Sequence, residues 1–138
     1  EVYGIKNETV DAIDYIRFDI GLAAGGVPVD VNRTTMTFST TAKLPYNLDH
    51  DSTLDSTDTT EADYTQMTAG TWIILAQSPG TSGDKTLQSA ETFTIMVMPK
   101  EPLDTREKFL IEVKPEVGAA LGIDRTVTSS VTTTTLIY

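Results

Sequence analysis

Residues Glu91 to Pro115, ETFTIMVMPKEPLDTREKFLIEVKP, hold two strongly alternating segments joined by a short loop with two prolines. In the first, Phe93, Ile95 and Val97 share a face, and Thr92, Thr94, Met96 and Met98 share the other. In the second, Phe109, Ile111 and Val113 lie opposite Leu110, Glu112 and Lys114. Successive side chains of a strand point to opposite faces, so period-two alternation of this kind predicts two β-strands. Pro99 and Pro102 lack the N–H that a ladder needs, which puts the loop between the two runs. The pair is either a β-hairpin or two strands of facing sheets joined by a corner.

Working outward, Ala12 to Leu22 alternates as well, with Ile16, Phe18, Ile20 and Leu22 on one side and Tyr15, Arg17 and Asp19 on the other. The small residues Ala23 to Pro28 then predict a turn, in which Gly25 and Gly26 permit positive φ. Val29 to Ser39 reads as a second strand region, with Met36 and Phe38 as its core pair. Gly70 to Gln77, GTWIILAQ, is a continuous apolar run of strand length, which suits a central strand covered on both faces. Ser78 to Lys85 is a turn cluster containing Pro79, Gly80 and Gly83. Ile123 to Val127 and Val131 to Tyr138 read as the last two strands, while residues 1–9 show little periodicity. Strands at this spacing without a helical period predict an all-β sandwich, one domain over residues 1–138.

A chain of 138 residues can bury a sizeable core. There are no cysteines, hence no disulfides and no thiolate metal sites. The formal net charge of −10 opposes nucleic acid and anionic lipid, since phosphate binding rests on clustered Lys and Arg. Threonine occurs 24 times, and its β-branched side chain favours strands and wet sheet faces. No window reaches the roughly 20 apolar residues of a spanning helix. The sequence starts at Glu1 without an initiator Met, as expected of a piece of something longer.

Residues 40–67 differ in character, with few apolar residues and many Asp, Ser and Thr. Such residues favour local side-chain-to-backbone hydrogen bonds, so a long acidic loop is expected, with a short edge strand near Lys43. Hard cations take six to eight oxygens, and loop carboxylates supply them. A calcium or magnesium site at Asp49, Asp51, Asp55 and Asp58 is therefore one expectation; a solvated acidic loop is the other. The spacing does not fit the EF-hand template. His50, the single histidine, sits between two acids without a nucleophile elbow beside it. That arrangement predicts a surface histidine and no enzyme. Trp72 reads as core, while Arg17, Arg33 and Arg125 are lone cations on strands. Asn7-Glu8-Thr9 and Asn32-Arg33-Thr34 fit the N-glycosylation sequon, so Asn7 and Asn32 are candidate modification sites.

Two longer stretches, YIRFDIGLAAGGVPVDVNRTTMTF and ETFTIMVMPKEPLDTREKFLIEVKPEVGAALGIDRTV, resemble the globular domain of the archaeal flagellins, or archaellins. The resemblance rests on Val29-Asp30-Val31, on Glu91 to Ile95, and on the KF-x-IEVKP-x-x-G-A-x-L-x-I-x-RT pattern from Lys108 to Thr126. It implies an immunoglobulin-like β-sandwich, often N-glycosylated, that coats the helical core of an extracellular motility filament. It also implies that the partners are other copies of archaellin, and that some relatives bind a metal ion. The family's apolar N-terminal helix is not in this sequence, so the chain corresponds to the outer domain alone and is expected to be monomeric by itself. The competing reading is an extracellular sandwich of the adhesin or carbohydrate-binding kind.

Overall fold

The computed structural model describes residues 1–22, 25–80 and 83–138. In chain order its strands are β1 (Val2–Lys6), β2 (Ala12–Gly21), β3 (Val29–Asp30), β4 (Thr35–Thr40), β5 (Tyr46–His50) and β6 (Thr71–Ser78). They continue with β7 (Thr86–Leu87), β8 (Thr92–Met98), β9 (Leu103–Asp104), β10 (Lys108–Lys114), β11 (Leu121–Thr126) and β12 (Thr134–Ile137). Three 3-10 turns, Val31–Arg33, Ser52–Leu54 and Tyr64–Gln66, interrupt them.

The strands run in the order β11-β10-β4-β5-β6-β8-β2-β1-β12. β8 pairs with β6 and β2, whereas β10 pairs with β11 and β4. β8 and β10 are therefore in different layers, and the corner, not the hairpin, is the correct alternative. β9 lies within that corner and anchors it by pairing Leu103 with Ile13 of β2. β5 joins the layers, antiparallel to β4 and parallel to β6 through Asp49 with Thr71 and His50 with Trp72. One hydrophobic core fills the space between the layers. Met36, Phe38, Phe109, Ile111 and Ile123 meet Ile16, Phe18, Trp72, Ile74, Phe93, Ile95 and Val97 there. The Phe38 and Phe109 rings stack with centroids 6.0 Å apart. The result is the expected all-β sandwich.

β6 is buried on both faces, as its continuous apolar run requires. Trp72 and Ile74 enter the main core, while Ile73 and Leu75 join Met67 and Met96 in a second one. What covers that outer face is the acidic stretch itself, which contributes Leu54, Ala62, Tyr64 and Met67. The expectation of a wet loop over residues 40–67 is thus corrected. Its few apolar residues are spaced so that they fold back over the sheet. Its strand, β5, is not an edge strand near Lys43 but the seam between the layers.

Residues 1–9 also contain a strand, β1, which pairs with β2 and β12. The region from Val29 to Ser39 is broken because the Asp30 carboxylate accepts from Asn32 N at 3.0 Å and caps a 3-10 turn. The turns expected over 23–28 and 78–85 fall partly outside the described residues, at Ala23, Ala24, Thr81 and Ser82. Gly80 is described, with φ of 75°, and a Cβ there would lie 3.0 Å from Asp58 Cα. Glycine lets this turn press directly against the folded-back stretch.

Burial pushes the phenols of Tyr15 and Tyr46 above their ordinary value of 10.0. The protonated form is the one the fold favours. Its contribution to stability is complete below pH 10 and is lost as pH rises through the raised values. Absorbance titration is expected to show both tyrosines ionising late, with the denaturation midpoint falling above about pH 10. Ionisation of Tyr15 and Tyr46 at the ordinary value would contradict their burial.

Candidate functional site

After β5 the chain does not leave β6 but runs along its open edge. Asp51 N donates to Trp72 O at 3.1 Å, Ser56 N to Ile74 O at 2.9 Å and Ala62 N to Leu75 O at 2.8 Å. Gln77 returns two bonds, from its backbone N to Asp58 O and from Nε2 to Ser56 O. The sheet edge is satisfied by a stretch with almost no regular strand.

At the centre of this stretch the Asp55 side chain is wholly buried. Its Oδ1 accepts from Ile74 N at 2.8 Å, standing in for a backbone carbonyl of the missing strand. Its Oδ2 meets His50 Nε2 at 2.7 Å and Lys85 Nζ at 3.1 Å. Lys85 also donates to Ser52 O at 3.3 Å. The His50 ring stacks on Trp72 with centroids 3.8 Å apart and planes within 9°. His50 is thus not a loose surface residue, as its acidic neighbours suggested. It is mostly covered, with 14% of its side chain exposed, because β5 and β6 run side by side and put it over Trp72. Trp72 is fully buried, as expected of a core residue.

Three other aspartates of the stretch do local work. Asp51 Oδ1 accepts from Thr53 N and Thr53 Oγ1, Asp58 Oδ1 from Thr60 N, and Asp63 Oδ1 from Thr65 N. Each is an Asp-x-Thr turn, in which a carboxylate replaces a backbone acceptor two residues on. The Thr65 hydroxyl also bonds Asp63 and holds its carboxyl below the usual carboxylate value. Asp49 is exposed on β5. Among the described residues no three His, Asp or Glu side chains gather as a metal ligand set. Asp49, Asp51, Asp55 and Asp58 are therefore neighbours in sequence that the fold assigns to different tasks. Lys85, the cationic partner of Asp55, carried no signal in the sequence; it arrives from the far side of the turn after β6.

The lone strand cations find carboxylates or carbonyls. Arg17 bonds Glu61 at 3.2 Å and ties β2 to the folded-back stretch. Arg33 bonds Glu116 at 2.9 Å, and Arg125 donates to Asp124 O. The two sequons differ. Asn32 is exposed on its 3-10 turn, but Thr34 is buried. Asn7 is half-buried, and its Oδ1 accepts from Thr9 N, Thr9 Oγ1 and Val10 N.

Comparison with known proteins decides the family. The profile of the archaeal-type flagellins matches residues 1–125. The chain belongs to that family. Among curated relatives of this flagellin chain, a probable flagellin 1 of Aeropyrum pernix is 32% identical over 94% of the chain. A probable flagellin 1 of Archaeoglobus fulgidus is 30% identical over 84% of it. The chain spans 66% and 57% of those relatives' own lengths.

A crystal structure of an archaeal flagellin from Methanocaldococcus jannaschii has the same fold. Its TM-score is 0.82 at 18% identity, covering 99% of this flagellin chain and 92% of the other. The archaeal flagellum of Methanospirillum hungatei gives a TM-score of 0.64 at 16% identity, with 94% and 63% covered. The archaellum periplasmic stator protein of Sulfolobus acidocaldarius gives 0.56 at 9% identity, with 90% and 97% covered. A filament protein and a stator protein share this sandwich, so the fold alone does not separate the two roles.

Proposed function

We propose that this flagellin sandwich is the outer, solvent-facing domain of a subunit of the archaeal motility filament, without catalytic activity. The observation that carries the reading is the family match over residues 1–125. Chemistry agrees with it. The one histidine is committed to a contact with the buried Asp55 carboxylate and to an aromatic stack. The formal charge of −10 keeps an outward-facing surface hydrated and soluble. Filaments sheared from cells and digested should yield peptides from across residues 1–138 in amounts matching the most abundant filament protein. Recovery of these peptides only with the cell envelope would turn the assignment toward a stator or a binding module.

Asn7 and Asn32 are proposed to carry glycans. In that reaction the amide nitrogen attacks the anomeric carbon of a glycosyl phosphate donor, the carbon–oxygen bond to phosphate breaks, and the amide gives up one proton. Intact-mass measurement of the native protein is expected to show glycan added at both sites; a mass with neither modified refutes it.

Calcium or magnesium remains a proposal for Asp49, Asp51, Asp55 and Asp58 taken together. An ion wanting six to eight oxygens would have to displace the Asp-x-Thr turns and the Lys85–Asp55 pair. Calorimetric titration with calcium decides the matter beside an Asp51→Asn plus Asp55→Asn variant. Saturable heat that the variant loses supports the site. Heat retained by the variant, or no saturable heat in either protein, removes these residues from it.

A further inference from the structure

Asn7 stands on the wall of a cleft of about 420 Å³ that is also lined by Lys6, Glu8, Asp14, Tyr15, Tyr64 and Thr65. Three donors on Oδ1 fix which way the amide faces, so Nδ2 is identified without ambiguity. Nδ2 lies 3.1 Å from both oxygens of Asp14, a forked contact that one hydrogen satisfies. The second Nδ2 hydrogen has no acceptor among the described residues. Replacing that hydrogen with a sugar carbon therefore leaves the Asp14 bond and all three Oδ1 bonds in place.

The aromatic pair supplies the other half of a sugar site. Tyr15 comes from β2 and Tyr64 from the 3-10 turn of the folded-back stretch, with ring centroids 5.1 Å apart and planes at 72°. Both rings are half-buried. Neither hydroxyl has a hydrogen-bond partner among the described residues. A pyranose has an apolar C–H face and a hydroxyl rim. Tyrosine offers an apolar ring with a polar tip, which matches both. Its volume is that of a small-ligand cleft, and its lining sets the two tyrosine rings among the polar Lys6, Glu8, Thr9, Asp14 and Thr65, a mixture suited to a hydroxyl-rich ligand. Asn32, by contrast, is exposed on its 3-10 turn beside Arg33.

We infer that the cleft beside Asn7 is a saccharide seat, in which the proximal sugars of an Asn7-linked glycan lie against Tyr15 and Tyr64. This rests on the reading that Asn7 is glycosylated. The consequence is structural: the glycan bridges β1–β2 to the folded-back stretch and holds the second core shut.

The test uses the chain produced in a host with N-glycosylation, with glycopeptide mapping first and proton NMR second. In the wild type, C–H protons of the first one or two sugars on Asn7 should shift upfield and show through-space contacts to Tyr15 and Tyr64 ring protons. Tyr64→Leu, which keeps apolar filling over Ile73 and Leu75, should abolish the upfield shift while Asn7 stays modified. The thermal midpoint should be a few degrees higher with the Asn7 glycan than in Asn7→Gln, and Tyr64→Leu should remove most of that gain. Asn7 modified but with freely tumbling sugars and no tyrosine contacts would overturn the seat and leave the glycosylation reading intact. An unmodified Asn7 would overturn both.

Discussion

Replacement of Asp55 by alanine is expected to destabilise the domain by about 3–5 kcal/mol, the range found when one partner of a buried ion pair is removed. The reason is not the loss of one bond. His50 and Lys85 would be left against an emptied site, and Ile74 N would be buried without an acceptor. Whole domains are stable by only about 5–15 kcal/mol, so such a change threatens folding at moderate temperature. Asp51→Ala is the control. It also removes a carboxylate of the same stretch, but one that only caps a 3-10 turn, where about 1 kcal/mol is at stake. Asp55→Asn should fall between the two, since its amide oxygen still accepts from Ile74. Urea denaturation of the three variants measures the order. Equal, small losses for Asp55→Ala and Asp51→Ala would show that the buried Asp55 contacts do not hold the stretch to β6.

Trp72→Ala should cost about 3–5 kcal/mol, as for large aromatic side chains cut from close-packed cores. Trp72 is fully buried between the layers and is stacked by His50 on its other flank. The substitution thus opens a cavity and removes the surface on which His50 rests. Ile73→Ala, one residue on, reads the opposite face of β6. If the folded-back stretch is a true cover, that change costs about 2–5 kcal/mol as a buried aliphatic truncation. A loss under about 1 kcal/mol, the range of exposed positions, would mean that the second core is open to water.

These two sites mark where sequence reading succeeds and stops. The alternation of β2, β8 and β10 and the unbroken run of β6 were legible because burial on one face or two leaves its period in the residues. β1 was not. VYGIK has Gly4 at its centre, where a Cβ would come within 2.9 Å of Ile13 Cδ1 and Ile137 Cδ1. The glycine that disguises the strand is the residue its packing demands. The choice between hairpin and corner was also hidden. Residues 99–107 are long enough for either, and the pairing of Leu103 with Ile13 spans 90 positions.

The acidic stretch shows the limit most clearly. Asp49, Asp51, Asp55 and Asp58 are equivalent in composition, and nothing near them marks Asp55 as the buried one. Its role is set by Ile74, 19 residues later, and by Lys85, 30 residues later. The three Asp-x-Thr turns, by contrast, were foreshadowed by the local abundance of Asp, Ser and Thr. The polar residues of this segment bend it, and its sparse apolar residues then pin it to the sheet.

If this flagellin sandwich faces outward on a motility filament, as proposed, electron cryo-microscopy of filaments purified from the native cell should locate it there. The map should show one copy of this sandwich per subunit on the outer surface. The stretch from Asp51 to Met67 should be folded over β6, with continuous side-chain density from Lys85 to Asp55. Filaments whose outer density cannot accommodate this sequence, while the chain is found only in the envelope, would contradict the claim.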